Sequence, residues 1–475
     1  MSELIKHIRD KNTMKSLPLY LCTWVCLSAL GLSVATAAPL TPLQDLGRQL
    51  FLDPQLSSPA GESCSSCHSP TAAFTDPRRD TPTSPGAIAG RFGNRNSPTA
   101  MYAALSPLFQ LDSDGVTYEG GLFWDGRAAN LEQQAQGPLL NPLEMANPDK
   151  ATVVNKVRAA SYAPLFKSVF GPTALNQTEP AYAMIASAIA AFERSPTFSP
   201  FSSKYDAYLA GQVQLTAAEE HGRTLFNDPT KGNCAACHPS TPSADGTPPL
   251  FTDFTYDNLG VPRNPNNPFY NLPAAFNPAG LNFLDLGLGP IVGNTGDNGK
   301  FKVPTLRNIA LTNPYMHNGY FQTLLGVVDF YNTRDVKPAC PDPMTTENLA
   351  LAQGCWPQPE TPANVNHKEL GNLQLSSSDE NDIVAFLGTL TDGYWQTPAL
   401  SECLFNWAEG AYPGLFQPAG SVTQSQAPYT YRYYKAANAY LGVSSDDNHV
   451  YYLGSNGVMQ DVGALPTWLK KAGCI

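Results

Sequence analysis

Positive charge is the scarcest property of this chain. Across 475 residues there are 29 Lys and Arg against 40 Asp and Glu, a formal net charge of −11, and only 15% of residues are charged. An average globular chain has roughly 25%. A nucleic-acid or anionic-membrane binder needs an excess of Lys and Arg, so both classes are excluded as general partners and a basic protein fits better. Histidine is scarce as well, with seven residues, and strand-like alternation is sparse before residue 400. Pro (43) and Gly (37) are plentiful, alongside 42% apolar and 10% aromatic residues. That combination predicts long, irregular, packed connections rather than disorder. At roughly 100–200 residues per domain the length suggests two to four domains.

The first 37 residues read as an export signal. Lys15 precedes an apolar run, Leu19–Val34, and Ala35-Thr36-Ala37 offers a small-residue cleavage site. A membrane anchor is the competing reading, but no Lys or Arg follows to stop transfer. The mature chain is therefore expected to be periplasmic with no membrane span. Cleavage removes four basic and two acidic residues and takes the charge to −13. Cys22 and Cys26 leave with the signal, and export permits disulfides among the remaining eight cysteines.

Four of those eight form two copies of one pattern, Cys64-Ser-Ser-Cys67-His68 and Cys234-Ala-Ala-Cys237-His238. Cys-x-x-Cys-His attaches c-type haem: two thiols add to the vinyl groups on one porphyrin edge and the adjacent His reaches the iron. At this composition chance supplies roughly 0.003 copies of the spacing. A zinc site would want further Cys and His nearby, and a thioredoxin-type pair lacks the His. The flanks repeat too. Gly47-Arg-Gln-Leu-Phe-Leu-Asp-Pro54 and Phe74-Thr-Asp76 surround the first site, and Gly222-Arg-Thr-Leu-Phe-Asn-Asp-Pro229 and Phe251-Thr-Asp253 surround the second, one domain length further along the chain. This is a duplicated haem unit.

Both lead-in segments read as helices, as do Tyr182–Arg194 and Asp382–Leu390, the latter started by Ser377-x-x-Glu380 as a capping box. The fold class is therefore mainly α: two cytochrome c-like domains with long loops, over 38–205 and 206–395, and a small β-rich module over 396–475. In that module Tyr429–Tyr434, Ala439–Val443, His449–Leu453 and Val458–Val462 read as strands, with Asn456-Gly457 as a hairpin turn. Cys340 with Cys355 and Cys403 with Cys474 are expected disulfides, although four cysteines allow three connectivities and the sequence does not choose.

Joined with Phe123-Trp-Asp-Gly-Arg-Ala128, Phe301-Lys-Val-Pro-Thr-Leu-Arg-Asn308 and Pro314-Tyr-Met-His-Asn-Gly319, these motifs resemble the bacterial di-haem cytochrome c peroxidase/MauG family over residues 40–395. The resemblance implies a peroxide-reactive haem ligated by His68, an electron-transfer haem ligated by His238, and Trp124 between them. It implies a distal Gln134, a pocket wall at Pro138, and Glu144 as the acid that moves a proton between peroxide oxygens. Counted from Pro314, the family's ligand position falls on Tyr331, which makes it the second axial ligand in the MauG manner, with Met316 as rival. A phenolate favours higher oxidation states, whereas Met favours Fe(II). No His lies between His68 and His221, so the first haem is expected to be open to peroxide without reductive activation. His317 is expected near a haem propionate or in a structural role. A calcium ion is expected on Asn96 and the carbonyls of Thr312 and Pro314. Two haem c groups and one calcium ion complete the expected cofactors.

The expected function is reduction of hydrogen peroxide, with electrons passing from the second haem to the first from a small cytochrome c or cupredoxin. The alternatives are peroxide-dependent oxidation of a protein substrate and a non-enzymatic di-haem electron carrier.

Overall fold

Seven of the thirteen helices among the described residues position the core and the site: α1 (Pro42–Leu52), α2 (Leu131–Leu140), α3 (Thr178–Glu193), α4 (Ala217–Asn227), α5 (Leu324–Thr333), α6 (Ser377–Gly388) and α7 (Pro398–Ala411). The structure, a computed structural model, describes residues 39–394 without interruption. Beyond them it describes 398–412, 415–417, 421–426, 429–435, 437–444, 449–453, 459–464, 468, 471 and 472. The export-signal segment 1–37, the Asn456-Gly457 turn and Cys474 lie outside the described residues.

The duplicated segments fold alike for the same local reasons. Thr41 caps α1 by accepting from Gln44 N, Thr216 caps α4 by accepting from Glu219 N, and each Gln or Glu side chain closes the box on the threonine N–H. Leu50 and Phe51 of α1 are buried in one core with Ile185, Ala188 and Phe192 of α3. Leu225 and Phe226 of α4 are buried in a second core with Ile383, Phe386 and Leu387 of α6. The repeated glycine is a requirement of these crossings. A Cβ on Gly47 would stand 1.9 Å from the Ala188 carbonyl oxygen, and one on Gly222 would stand 1.8 Å from that of Asp382. The rings repeat too: Phe51 meets Phe74 edge-on, with centroids 6.2 Å apart, and Phe226 meets Phe251 edge-on at 6.0 Å.

Short antiparallel ladders pin the loops, β1 (Gln110–Leu111) with β2 (Tyr118–Glu119) and β3 (Tyr256–Asp257) with β4 (Phe301–Lys302). Buried polar contacts join the halves. Arg95 donates to Asp125 at 2.7 Å and, through two nitrogens, to Asp285 at 2.6 and 2.7 Å. The hydroxyl of Tyr102 donates to Asp392, which also accepts from Asn308.

The C-terminal region departs from a purely β module. It opens with α7, whose Leu404, Phe405 and Ala408 pack under Tyr434, Leu441, Val443 and Val450. The sheet is a five-stranded antiparallel meander, β5 (Val422–Gln426), β6 (Tyr429–Tyr434), β7 (Ala439–Ser444), β8 (His449–Leu453) and β9 (Met459–Ala464). Buried Arg432 is held beneath α7 by Glu402 and Glu409. The capping box of α6 also sits one residue earlier than expected, on Ser376 and Asp379. Cys340 and Cys355 are disulfide-bonded. Cys403 is disulfide-bonded as well, while its expected partner Cys474 falls outside the described residues. Among the described residues no helix is long and apolar enough to cross a membrane.

Candidate functional site

Both Cys-x-x-Cys-His segments open on one continuous cavity of about 400 Å³. Cys64–Cys67 is a single helical turn and Cys234–Ala236 a 3₁₀ turn, which places the two thiols of each pair on one side with the His next in line. All four thiols are free. Burial is the first cause that pushes each of them up to about 12. Burial thus favours the neutral thiol over the thiolate at each position.

The two histidines are held identically. His68 Nδ1 lies 3.0 Å from the Phe74 carbonyl and His238 Nδ1 lies 2.7 Å from the Phe251 carbonyl. Phe74 and Phe251 each take φ +54° to turn that carbonyl inward. Burial lowers both imidazoles, His238 to about 4. A neutral ring with a carbonyl at Nδ1 carries its proton there and keeps the Nε2 lone pair for a ligand. Nε2 of His238 has no hydrogen-bond partner among the described residues; that of His68 has Ser97 Oγ at 3.5 Å and the Pro98 carbonyl beside it. Unjoined thiol pairs beside ligand-ready imidazoles fit covalent haem at both places.

From the first half the cavity is lined by His68, Gln134, Pro138 and Glu144, and by Arg127 and Glu193. Glu144 is raised by burial, while Arg127 and the Asn141 amide, which donates at 2.8 Å, pull it back down. Arg127 is itself fixed by Asp125 at 2.8 Å and by the Phe123 ring, whose centroid lies 3.6 Å away. Trp124 lines the same cavity and is tied to both halves. Its Nε1–H donates to the Asn96 carbonyl at 2.8 Å and its own carbonyl accepts from Lys302 N at 2.9 Å. Lys302 Nζ donates to the Gly121 carbonyl at 2.6 Å, and burial lowers this ammonium to about 8.

Around His238 the lining includes Tyr331 from α5 with Leu324, Val327 and Val328. The Tyr331 phenol is buried beside Cys237 and Cys234, which raises its pKa, and it has no hydrogen-bond partner among the described residues. Met316, at φ +70°, lines the cavity too. Asp257 and Glu369 gather at Cys237, the three ligand atoms within 4.8 Å of one another. His317 is stacked on Phe301, centroids 3.6 Å apart, 3.9 Å from the Glu360 carboxylate, with its Nε2 buried and unpartnered.

Of the expected calcium set, Asn96 reaches the Pro314 carbonyl at 2.5 Å, and Thr312 and Pro314 line the cavity. As placed, the Asn96 amide donates through its nitrogen; a cation would take the oxygen, a half-turn of the same group.

The sequence missed Glu193 and Asn141, and gave Lys302 and Arg127 no role although both stand in the quoted motifs. Glu193 had a signal: it is the one acid that closes the apolar helical run Ala181–Phe192.

The chain is similar to known proteins. The family model described as di-haem cytochrome c peroxidase matches residues 42–214. Methylamine utilization protein MauG of Paracoccus denitrificans is 39% identical over 391 residues, covering 79% of this chain and 97% of that protein. Cytochrome c551 peroxidase of Nitrosomonas europaea is 36% identical, covering 60% of this chain and 72% of that protein. The crystal structure of the diheme peroxidase BthA from Burkholderia thailandensis matches with a TM-score of 0.63 and 33% identity, covering 76% of this chain and 88% of that one.

Proposed function

Because the chain belongs to the di-haem cytochrome c peroxidase family, oxidoreductases that act on peroxide, we propose that each Cys-x-x-Cys-His site holds one covalent haem c and that hydrogen peroxide reacts at the His68 site. The observation that carries this reading is the matched pair of buried neutral imidazoles, each beside two thiols that are not joined to one another. Haem, when bound, supplies two redox irons. The remaining work falls to the chain.

His68 and His238 present Nε2 as ligands while the Phe74 and Phe251 carbonyls fix their tautomer and raise their basicity. Gln134 offers an amide donor to bound peroxide. Glu144 takes the proton from one peroxide oxygen and returns it to the other, and Asn141 holds its carboxyl for that transfer. Opposing effects of burial and Arg127 on Glu144 suit a group that must both accept and release a proton. Trp124, bonded to Asn96 on one side and Lys302 on the other, is the packed path for electrons between the halves. The cavity's histidines among the described residues are His68, His238 and His317, which supports a first site not closed by a second His.

Tyr331 would be the second residue, with His238, to hold the iron of the second haem. Burial alone keeps its phenol protonated, and a bound cation inverts that preference. This position favours the MauG-like version, in which oxidising equivalents are held at the second site and spent on a protein side chain; a small basic redox protein as reductant is the other version. Export to the periplasm and a calcium ion on Asn96, Thr312 and Pro314 complete the proposal. The test is the spectrum of the ferric protein: one high-spin and one low-spin haem are expected, and two low-spin haems would sink the open first site. Tyr331→Phe should change the low-spin component alone, and an unchanged spectrum passes the ligand role to Met316.

A further inference from the structure

Glu193 ends α3 inside the cavity at the first site, and no step above uses it. Only 6% of the residue is exposed, and its carboxyl makes no hydrogen bond to any described residue. It lies at the C-terminal end of a 16-residue helix, where the helix dipole disfavours a negative charge. It is also the foremost charged group acting on the Cys64 thiol, ahead of Glu144. Both acids therefore act on the same thiol, Cys64.

The charges near it do not neutralise it. Arg194 is spent on Glu132, Nη1 to Oε1 at 2.6 Å and Nη2 to Oε2 at 2.9 Å. On the helices packed against α3, Asp45 and Arg48 of α1 pair with each other, Lys150 goes to Glu179 at the far end of α3, Lys156 to Ser57 and Ser58, and Arg158 to the Leu175 carbonyl. That leaves Glu132, Arg194 and Cys64 facing the carboxyl. Burial first, with Glu132 adding and Arg194 opposing, pushes it up to about 8.

We propose that Glu193 is a second proton-holding carboxyl of the peroxide site, neutral at rest, that releases its proton as peroxide is reduced and regains one from solvent afterwards. This rests on the reading of His68 as the peroxide-reactive site. Reduction of hydrogen peroxide to two waters consumes two electrons and two protons. Glu144 moves a proton that peroxide already carries, so the net two come from elsewhere. Breaking the Glu193 O–H bond supplies one, which forms an O–H bond of water and leaves a carboxylate; solvent supplies the other. The electrons come from the two redox sites and are replaced by the reducing protein or the oxidised side chain named above.

The experiment uses the holoprotein and one equivalent of hydrogen peroxide, with a pH-indicator dye and infrared difference spectra. Wild type should take up one proton from solvent in the fast phase and lose a protonated-carboxyl band. Glu193→Gln should take up two and lack that band, and Glu193→Asp should restore both wild-type readings. Equal proton uptake in all three proteins, or a band that survives Glu193→Gln, overturns the proposal. Haem content and peroxide consumption are read on the same samples. A wild type with two haems that leaves peroxide unreacted overturns the underlying reading instead, and the inference with it.

Discussion

The two halves of this protein are built alike up to the histidine and differ in what stands opposite it. Each begins with a threonine-capped helix, crosses its partner helix at a glycine, buries a Leu-Phe pair and lends a phenylalanine carbonyl to the His Nδ1. Past that point the first half sets Gln134, Glu144 and Glu193 around the cavity, an amide and two carboxyls that can donate or exchange a proton. The second sets Tyr331 among Leu324, Val327 and Val328, a group that can bind a metal and has no hydrogen-bond donor aimed at it among the described residues, with its acids Asp257 and Glu369 gathered at Cys237. The repeated motif carries the scaffold that holds an imidazole, and the two ends of the cavity differ through side chains outside that motif.

The strongest test of this division of labour is Glu144→Gln. If proton transfer belongs to the first half alone, turnover of hydrogen peroxide should fall about 10²–10⁴-fold. The spectrum of the second site should not change. Steady-state peroxide consumption with absorbance of both haems checks it, and near-normal turnover would remove Glu144 from the mechanism. The likeness of the scaffolds is tested by Phe51→Ala and Phe226→Ala. Each ring is fully buried against edge-on aromatic partners, so each change should cost about 3–5 kcal/mol in denaturant unfolding. The two rings sit in separate cores, and the double variant should show the sum within about 0.5 kcal/mol. A much smaller loss at one of them would mean that the halves are not energetically equivalent.

The repeated parts were legible because each rests on short-range chemistry. Cys-x-x-Cys-His, the paired Gly-Arg-x-Leu-Phe segments and the Phe-Thr-Asp turns all lie within a few residues of what they do. The errors are equally local. Ser376, Ser377 and Ser378 offer three registers for one cap, and only the helix geometry selects Ser376. Strand β5, Val-Thr-Gln-Ser-Gln, has no apolar alternation and is a strand because β6 pairs with it. Helix α7 was lost in a region read for its tyrosines. Of the site, Gln134, Glu144 and Trp124 came from a family resemblance. The environment of Glu193 was legible only in its neighbour Arg194 and in the apolar run before it, since Cys64 and Glu132 are remote from it in sequence and brought to it only by the fold.

Glu193 also allows the finest comparison, with Asp257 at the other site. Both carboxyls are raised by burial, but Asp257 accepts from the Asn366 amide and from Asn258 N, and Lys300 lies near it. Glu193 has no such donor among the described residues, and burial pushes its carboxyl up to about 8. In the unfolded chain a Glu releases its proton near 4.5, so between about 4.5 and 8 the folded state binds the extra proton. Stability then falls as pH rises through that window, by at most about 1.4 kcal/mol for each pH step of one. Replacing Glu193 by Gln removes the slope. The variant should match wild type at pH 5 and exceed it by about 1–3 kcal/mol at pH 8 in denaturant unfolding, because a neutral amide has no proton to lose. Asp257→Asn, which removes a carboxylate already supplied with donors, should show a shallower difference over the same range. Parallel stability curves for wild type and Glu193→Gln would mean that the Glu193 carboxyl reaches water and is ionised at rest, and the two buried acids would then no longer differ in kind.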